Sequence, residues 1–309
     1  MSNRILAAIR SQPWAIVPEY LAAIEAIAAR ALDDPAVIAV SRDGHAERIA
    51  EAVAEMGTAF PGTRAAAIRD GVGSLPLFGP IVPRANVLTE ASGATSLASL
   101  AADFRKLEAS PEVRRILIVS DSPGGMITDV HQFGTLIARA SKPVSVFVSG
   151  LCCSAAYWIA SQASEIIADP SALIGSLGVM MAARVQEAPN SEGERIVHIT
   201  SSNAPDKHAD LTSDEGQAKI RAMLDEIEAV MFSDVARGRK VPIAQVREGF
   251  GRGATLSARQ ARQAGMIDRI EAGGLDTVLR QLAWAGRSAT PKRAAAAHQL
   301  ALIRAQFCI

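Results

Sequence analysis

Cysteine is scarce in this chain, with three in 309 residues and two of them adjacent, which excludes a disulfide framework. No predominantly apolar run reaches the ~20 residues needed to cross a bilayer, so no membrane anchor is expected. Net charge is missing too: 32 basic residues face 32 acidic ones, which removes the electrostatic footprint of a nucleic-acid binder. No Cys/His cluster has metal-ligand spacing, there is no internal repeat, and neither metal nor cofactor is expected. Met1–Ala8 is short and mixed, and Ser11-Gln12-Pro13 interrupts it at once, so no secretory pattern is read. The expectation from these absences is a soluble protein of the reducing cytoplasm. Its 49% apolar and 21% charged residues suit a globular chain.

What is present is an alternation. After Pro18, the residues Leu21, Ile24, Ile27, Ala28 and Leu32 follow helical spacing until Pro35 closes the run. Residues 34–70, rich in Ala and Arg, suit a small helical extension or a linker equally. From Gly71 onward, apolar strands alternate with helical segments. Leu75–Val82 reads as a strand broken by turn residues, and a helix with Leu97, Leu100, Ala101, Phe104 and Leu107 on one face follows it. Ile116–Val119 is a buried strand, and a helix is expected from about Met126 to Ala140. Val144–Val148 is the next strand, Ser154–Ser164 a helix, and Glu165–Ala168 a further strand. This order predicts an α/β domain with a parallel sheet and right-handed crossover helices. One more strand is expected at Arg195–Ile199. Thr212 and Glu215 form a capping box ahead of a helix whose Ile220, Met223, Leu224, Ile227, Val230 and Met231 make an apolar seam in need of a partner. The expected division is an N-terminal helical extension over 1–70, the main domain over 71–285 and a tail over 286–309.

Two segments fall just past the carboxyl ends of adjacent strands, where α/β sheets place active sites. In Ser122-Pro123-Gly124-Gly125, the paired glycines allow backbone N–H groups to approach a ligand, which suits an oxyanion hole. In Cys152-Cys153-Ser154-Ala155-Ala156, a serine opens a helix between small residues, and the Ala155 N–H offers a second oxyanion donor. Taken singly, these are also a plain turn and an N-cap serine. Adjacent strands would bring them into one cleft.

These segments, together with Ser141-Lys142-Pro143-Val144, Ile174-Gly175-Ser176-Leu177-Gly178-Val179 and Ala264-Gly265-Met266-Ile267-Asp268, resemble the signal peptide peptidase A family of serine peptidases. The resemblance covers roughly residues 71–272. Trp14-Ala15-Ile16-Val17-Pro18-Glu19 and Phe78–Arg84 are similar to the phage and prophage branch, whose members process capsid or scaffold proteins during head maturation. Ala155-Ala156 stands where many members have Gly-Gly; the phage-type sequences share the alanines. The resemblance implies a Clp/crotonase-type fold and an oligomer whose neighbours complete each other's active sites. It also implies a protein substrate, a procapsid association and a Ser-Lys dyad.

Ser154 is then the nucleophile, with Gly125 and Ala155 as oxyanion donors and Gly124 in support. A Clp-type triad would place histidine about 25 residues later, but Val179 stands there and no histidine occurs between Ser154 and His198. Among six lysines, Lys207 lies 53 residues after Ser154 in a segment loosely like the family's lysine loop. A lysine base has to be held partly neutral, and the resemblance gives Ser176 the task of orienting its amine. Cys153, Asp129, His131 and His208 are read as packing or surface residues. Two other readings share the pattern: a crotonase-type acyl-CoA hydratase or isomerase, and a non-catalytic head-assembly scaffold protein.

Overall fold

A computed structural model describes residues 9–10, 12–33, 36–85, 93–182, 200–204 and 207–288. The strands are β1 (Trp14–Ile16), β2 (Thr58–Ala59), β3 (Ala67–Arg69), β4 (Val72–Phe78), β5 (Ile81–Val82), β6 (Thr95–Ser96) and β7 (Arg115–Ser122). They continue with β8 (Gly124–Met126), β9 (Val144–Cys153), β10 (Glu165–Ala168), β11 (Leu173–Gly175), β12 (Thr255–Ser257) and β13 (Arg269–Ile270). The helices are α1 (Pro18–Asp33), α2 (Ala36–Met56), α3 (Leu97–Ala109), α4 (Val130–Ala138) and α5 (Ala155–Ala160). Four more follow: α6 (Asp214–Arg239), α7 (Ile243–Gly249), α8 (Ala258–Ala264) and α9 (Gly274–Ser288).

The main sheet runs β12-β11-β9-β7-β4-β3-β2, with β10 and β13 attached beside β9. Its centre, β4-β7-β9, is parallel. The unbroken apolar run Ile116–Val119 of β7 and the mostly apolar Val144–Val148 of β9 suit strands covered on both faces. Ile116, Ile118, Val144, Val146 and Val148 pack in one layer with Phe104, Phe133, Tyr157 and Trp158. Leu117, Val119 and Phe147 face the other way, onto Met56 of α2 and Val278, Leu279 and Leu282 of α9. A smaller sheet, β1-β8-β5-β6, lies beside it. There Trp14, Ile16 and Met126 pack with Leu21 and Ile24 of α1.

β9 serves two neighbours in turn. Ser145–Val148 pairs with β10, and Leu151–Cys153 pairs with β11. The β7/β9 register shifts between Ser120 and Ser122, and beyond that irregularity the two strands deliver Gly124 and Ser154 to one place.

Several expectations are corrected. The extension over 1–70 does not stop short of the sheet: Thr58–Ala59 and Ala67–Arg69 are strands of it. The expected boundary falls in the tight β3/β4 hairpin, where Asp70 and Gly71 both have positive φ, 51° and 82°, the backbone that an Asp-Gly turn favours. At the other end, α9 runs through the 285/286 boundary to Ser288. Residues 124–126 form a strand where a turn at Gly124-Gly125 and a helix from about Met126 are expected, and α4 begins only after Asp129. The N-cap of α6 is Ser213, accepting from the Gly216 N–H at 3.0 Å, in place of Thr212. The strand expected at 195–199 and the tail beyond 288 lie outside the described residues.

Candidate active site

Ser154 follows β9 and caps the start of α5 with φ 54° and ψ −116°. That backbone is strained for a residue with a Cβ, and two flanking contacts hold it. Its N–H donates to Gly175 O at 2.7 Å, and its carbonyl accepts from Trp158 N at 2.9 Å. Ser154 is fully buried. Among the described residues, its hydroxyl has only a long contact, 3.4 Å, to the Gly178 carbonyl.

Gly124 closes the other side. Its φ is 97°, and a Cβ there would collide with Ala15 O and stand 3.0 Å from Ser154 Cβ; only glycine lets the two loops meet. Ser122 fixes the turn by donating to Gly79 O at 2.6 Å and accepting from Gly124 N at 3.3 Å. Gly125 is wedged between strands, opposite Ala15 on one side and Ile81 on the other. Ala155 is the first residue of α5 and is fully buried.

Ser176 sits in the loop that wraps the nucleophile, with φ 51° and its N–H donating to Ala254 O at 2.9 Å. It lines a cleft with Ile16, Gly178, Glu228, Arg247 and Arg252. Burial, then repulsion from Asp225, raises the Glu228 pKa against the pull of Arg247.

Ser154, Gly124, Gly125, Ala155 and Ser176 thus converge. Lys207 does not join them: its side chain is exposed, its N–H donates to Ala204 O at 3.2 Å, and among the described residues it makes no hydrogen bond to Ser154 or Ser176. Burial lowers the pKa of another lysine, Lys142, against the opposing charge of Glu108. It precedes β9, however, roughly 30 Å of extended strand from Ser154, and its amine donates to Leu107 O at 3.0 Å and to Ser110 O. Burial pushes the Cys153 thiol up to about 11, which disfavours a thiolate nucleophile.

His208 is exposed and Asp129 is a left-handed residue ahead of α4. The half-exposed His131 is more than a surface residue: its Nδ1 lies 2.6 Å from Asp234. Buried Asp234 also accepts from Trp158 Nε1 at 2.8 Å and Arg237 at 2.7 Å, joining α4, α5 and α6. The sequence reading had no role for β1 at the site. Its only signal was the short apolar run Trp14-Ala15-Ile16 between prolines.

Residues 137–286 match the model of peptidase family S49. The chain is 28% identical over 211 residues to capsid assembly protease C of Escherichia phage lambda, covering 66% of this chain and 47% of that protein. It is 33% identical over 114 residues to head-tail preconnector protein GP5 of Enterobacteria phage P21, covering 36% and 23%. With protease 4 of Salmonella typhi it shares 27% over 175 residues, covering 55% and 28%. The chain therefore spans less than half the length of each of these three relatives. A solved enoyl-CoA hydratase/isomerase family member aligns with a TM-score of 0.45 and 19% identity, over 73% of this chain and 77% of that one. No helix among the described residues is long and apolar enough to cross a membrane.

Proposed function

We propose that this chain, similar to family S49 peptidases over residues 137–286, is a serine endopeptidase acting on a capsid or scaffold protein of a phage or prophage head. The observation that carries the reading is Ser154 itself: a serine in a left-handed strand-to-helix junction, enclosed against Gly124. Strain of that kind gathers at catalytic positions. The Ser154 hydroxyl attacks the substrate carbonyl, and its proton passes to Lys207 and then to the leaving amine. The N–H groups of Gly125 and Ala155 face the developing oxyanion, Ser176 orients the amine, and water then hydrolyses the acyl ester. The lambda and P21 relatives, named for capsid assembly and head-tail connection, support the choice of substrate and an association with the procapsid.

Lys207 has to leave solvent to act. It lies just ahead of α6, where Met223 and Val230 are exposed and Ile220, Leu224 and Ile227 half-buried. Self-association over that seam is the step assigned to bring the lysine into a cleft. The test is acylation by a small ester across pH. Ser154→Ala should lose activity by at least ~10³-fold, and Lys207→Arg should be inactive because guanidinium stays protonated. The wild-type rate should rise with pH along one basic limb. A histidine-like inflection near pH 6.5 that vanishes in His131→Ala or His208→Ala, or an active Lys207→Arg enzyme, refutes the dyad.

A further inference from the structure

We propose that Trp14–Ile16 is an internal occupant of the peptide-binding groove of Ser154, holding the Ala15 carbonyl where a substrate's reacting carbonyl belongs. The proposal rests on the reading of Ser154 as nucleophile. β1 pairs antiparallel with β8, Trp14 opposite Met126, Ala15 opposite Gly125 and Ile16 opposite Gly124. The Val17 N–H donates to Pro123 O at 3.0 Å. Antiparallel ladders alternate bonded and non-bonded pairs, so Ala15 and Gly125 form the next bonded pair, and the Gly125 N–H is spent on the Ala15 carbonyl. That carbonyl lies against Gly124, whose missing Cβ would stand 3.0 Å from Ser154 Cβ.

The strand's other edge is equally engaged. Trp14 N donates to Met180 O and Met180 N to Trp14 O, both at 2.8 Å. Residues 14–16 therefore add a strand between two edges, the mode by which extended peptides bind. Two anchors keep it there: Trp14, 2% exposed, donates its indole N–H to Ile9 O at 2.8 Å, and Ile16 packs with Leu21 and Ile24. Ala15 and Ser154 are both 0% exposed. A tethered occupant competes at an effective concentration in the millimolar range, so an outside peptide reaches Ser154 only after β1 is released.

The experiment measures fluorophosphonate labelling of the full chain, with the adduct mapped by mass spectrometry and amide exchange followed on the same samples. Trp14→Ala and Ala15→Pro should label Ser154 at least ~10-fold faster than wild type, Ala15→Pro because it removes a ladder donor. Exchange at 124–126 should quicken while 144–148 stays protected, which shows the variants folded. Wild type supplies a check that needs no substitution: labelled molecules should exchange faster over 12–17 than unlabelled ones, since adduct and strand compete for one place. Equal labelling rates in all three proteins, or labelled wild type still protected over 12–17, overturn the occupancy and leave Ser154 as nucleophile. No adduct at Ser154 in variants whose 124–126 segment exchanges freely refutes the nucleophile instead.

Discussion

Glycine in place of Ser154 separates what the site needs for chemistry from what it costs the fold. At φ 54° and ψ −116°, a residue with a Cβ carries strain of about 1–3 kcal/mol, whereas glycine occupies the mirror-image β region freely. Against this relief stands the extra backbone entropy of glycine in the unfolded chain, roughly 0.5–1 kcal/mol. The alanine variant loses the hydroxyl but keeps the Cβ and hence the strain, and the hydroxyl's one long contact, 3.4 Å to Gly178 O, is a small loss. Ser154→Gly should therefore be more stable than Ser154→Ala by on the order of 1–2 kcal/mol. For a domain of this size that is a rise of about 2–6 °C in the melting temperature. At an ordinary position the sign is reversed, with glycine the weaker by about 0.5–1 kcal/mol, so the sign alone is diagnostic. Thermal unfolding by circular dichroism of wild type and both variants, with ester turnover alongside, makes the comparison; both variants should be inactive. A glycine variant that melts below the alanine variant would falsify the argument that Ser154 stores backbone strain.

Asp234→Ala should cost about 1–3 kcal/mol, read as a lower urea midpoint, because the buried Trp158 indole N–H loses its acceptor while the exposed Arg237 and His131 regain water. A loss under ~1 kcal/mol would show that Asp234 does not pin the three helices. Sedimentation at micromolar concentration should show a species larger than a dimer, and Met223→Glu with Val230→Glu should dissolve it; a stable, fully active monomer of the wild type sinks the assembly idea.

The central strands were legible because their physics is local to each segment. β7 and β9 lie between two apolar layers, so Ile116–Val119 is an unbroken apolar run and Val144–Val148 is apolar but for Ser145, and Ser154 follows such a strand among small residues. The smaller sheet was hidden because it is made by pairing across the chain: Trp14–Ile16 meets Gly124–Met126 more than a hundred residues away, and three residues carry no period. The same pairing explains why Gly124-Gly125 reads as a turn and Met126 as a helix start. Its extended state is dictated by Ala15 and Ile81 on either side, not by its own sequence. The change of character at Gly71 reads as a domain boundary, since the short β3 before it lacks the apolar length of a central strand and the Asp70-Gly71 turn joins two strands of one sheet. Lys207 matched a motif only loosely, and spacing along a chain says nothing about whether a loop faces a cleft or solvent.

The three-way anchor at Asp234 has a consequence for timing. α5 is six residues long and has little cooperative stability of its own, yet the oxyanion donor proposed at Ala155 depends on its orientation. By accepting from Trp158, His131 and Arg237 at once, one buried carboxylate sets that orientation while the chain folds. For the proposed acyl transfer, the reorganisation that a looser helix would owe is then completed beforehand, and the electrostatic environment offered to a reacting carbonyl would be aligned before a peptide arrives.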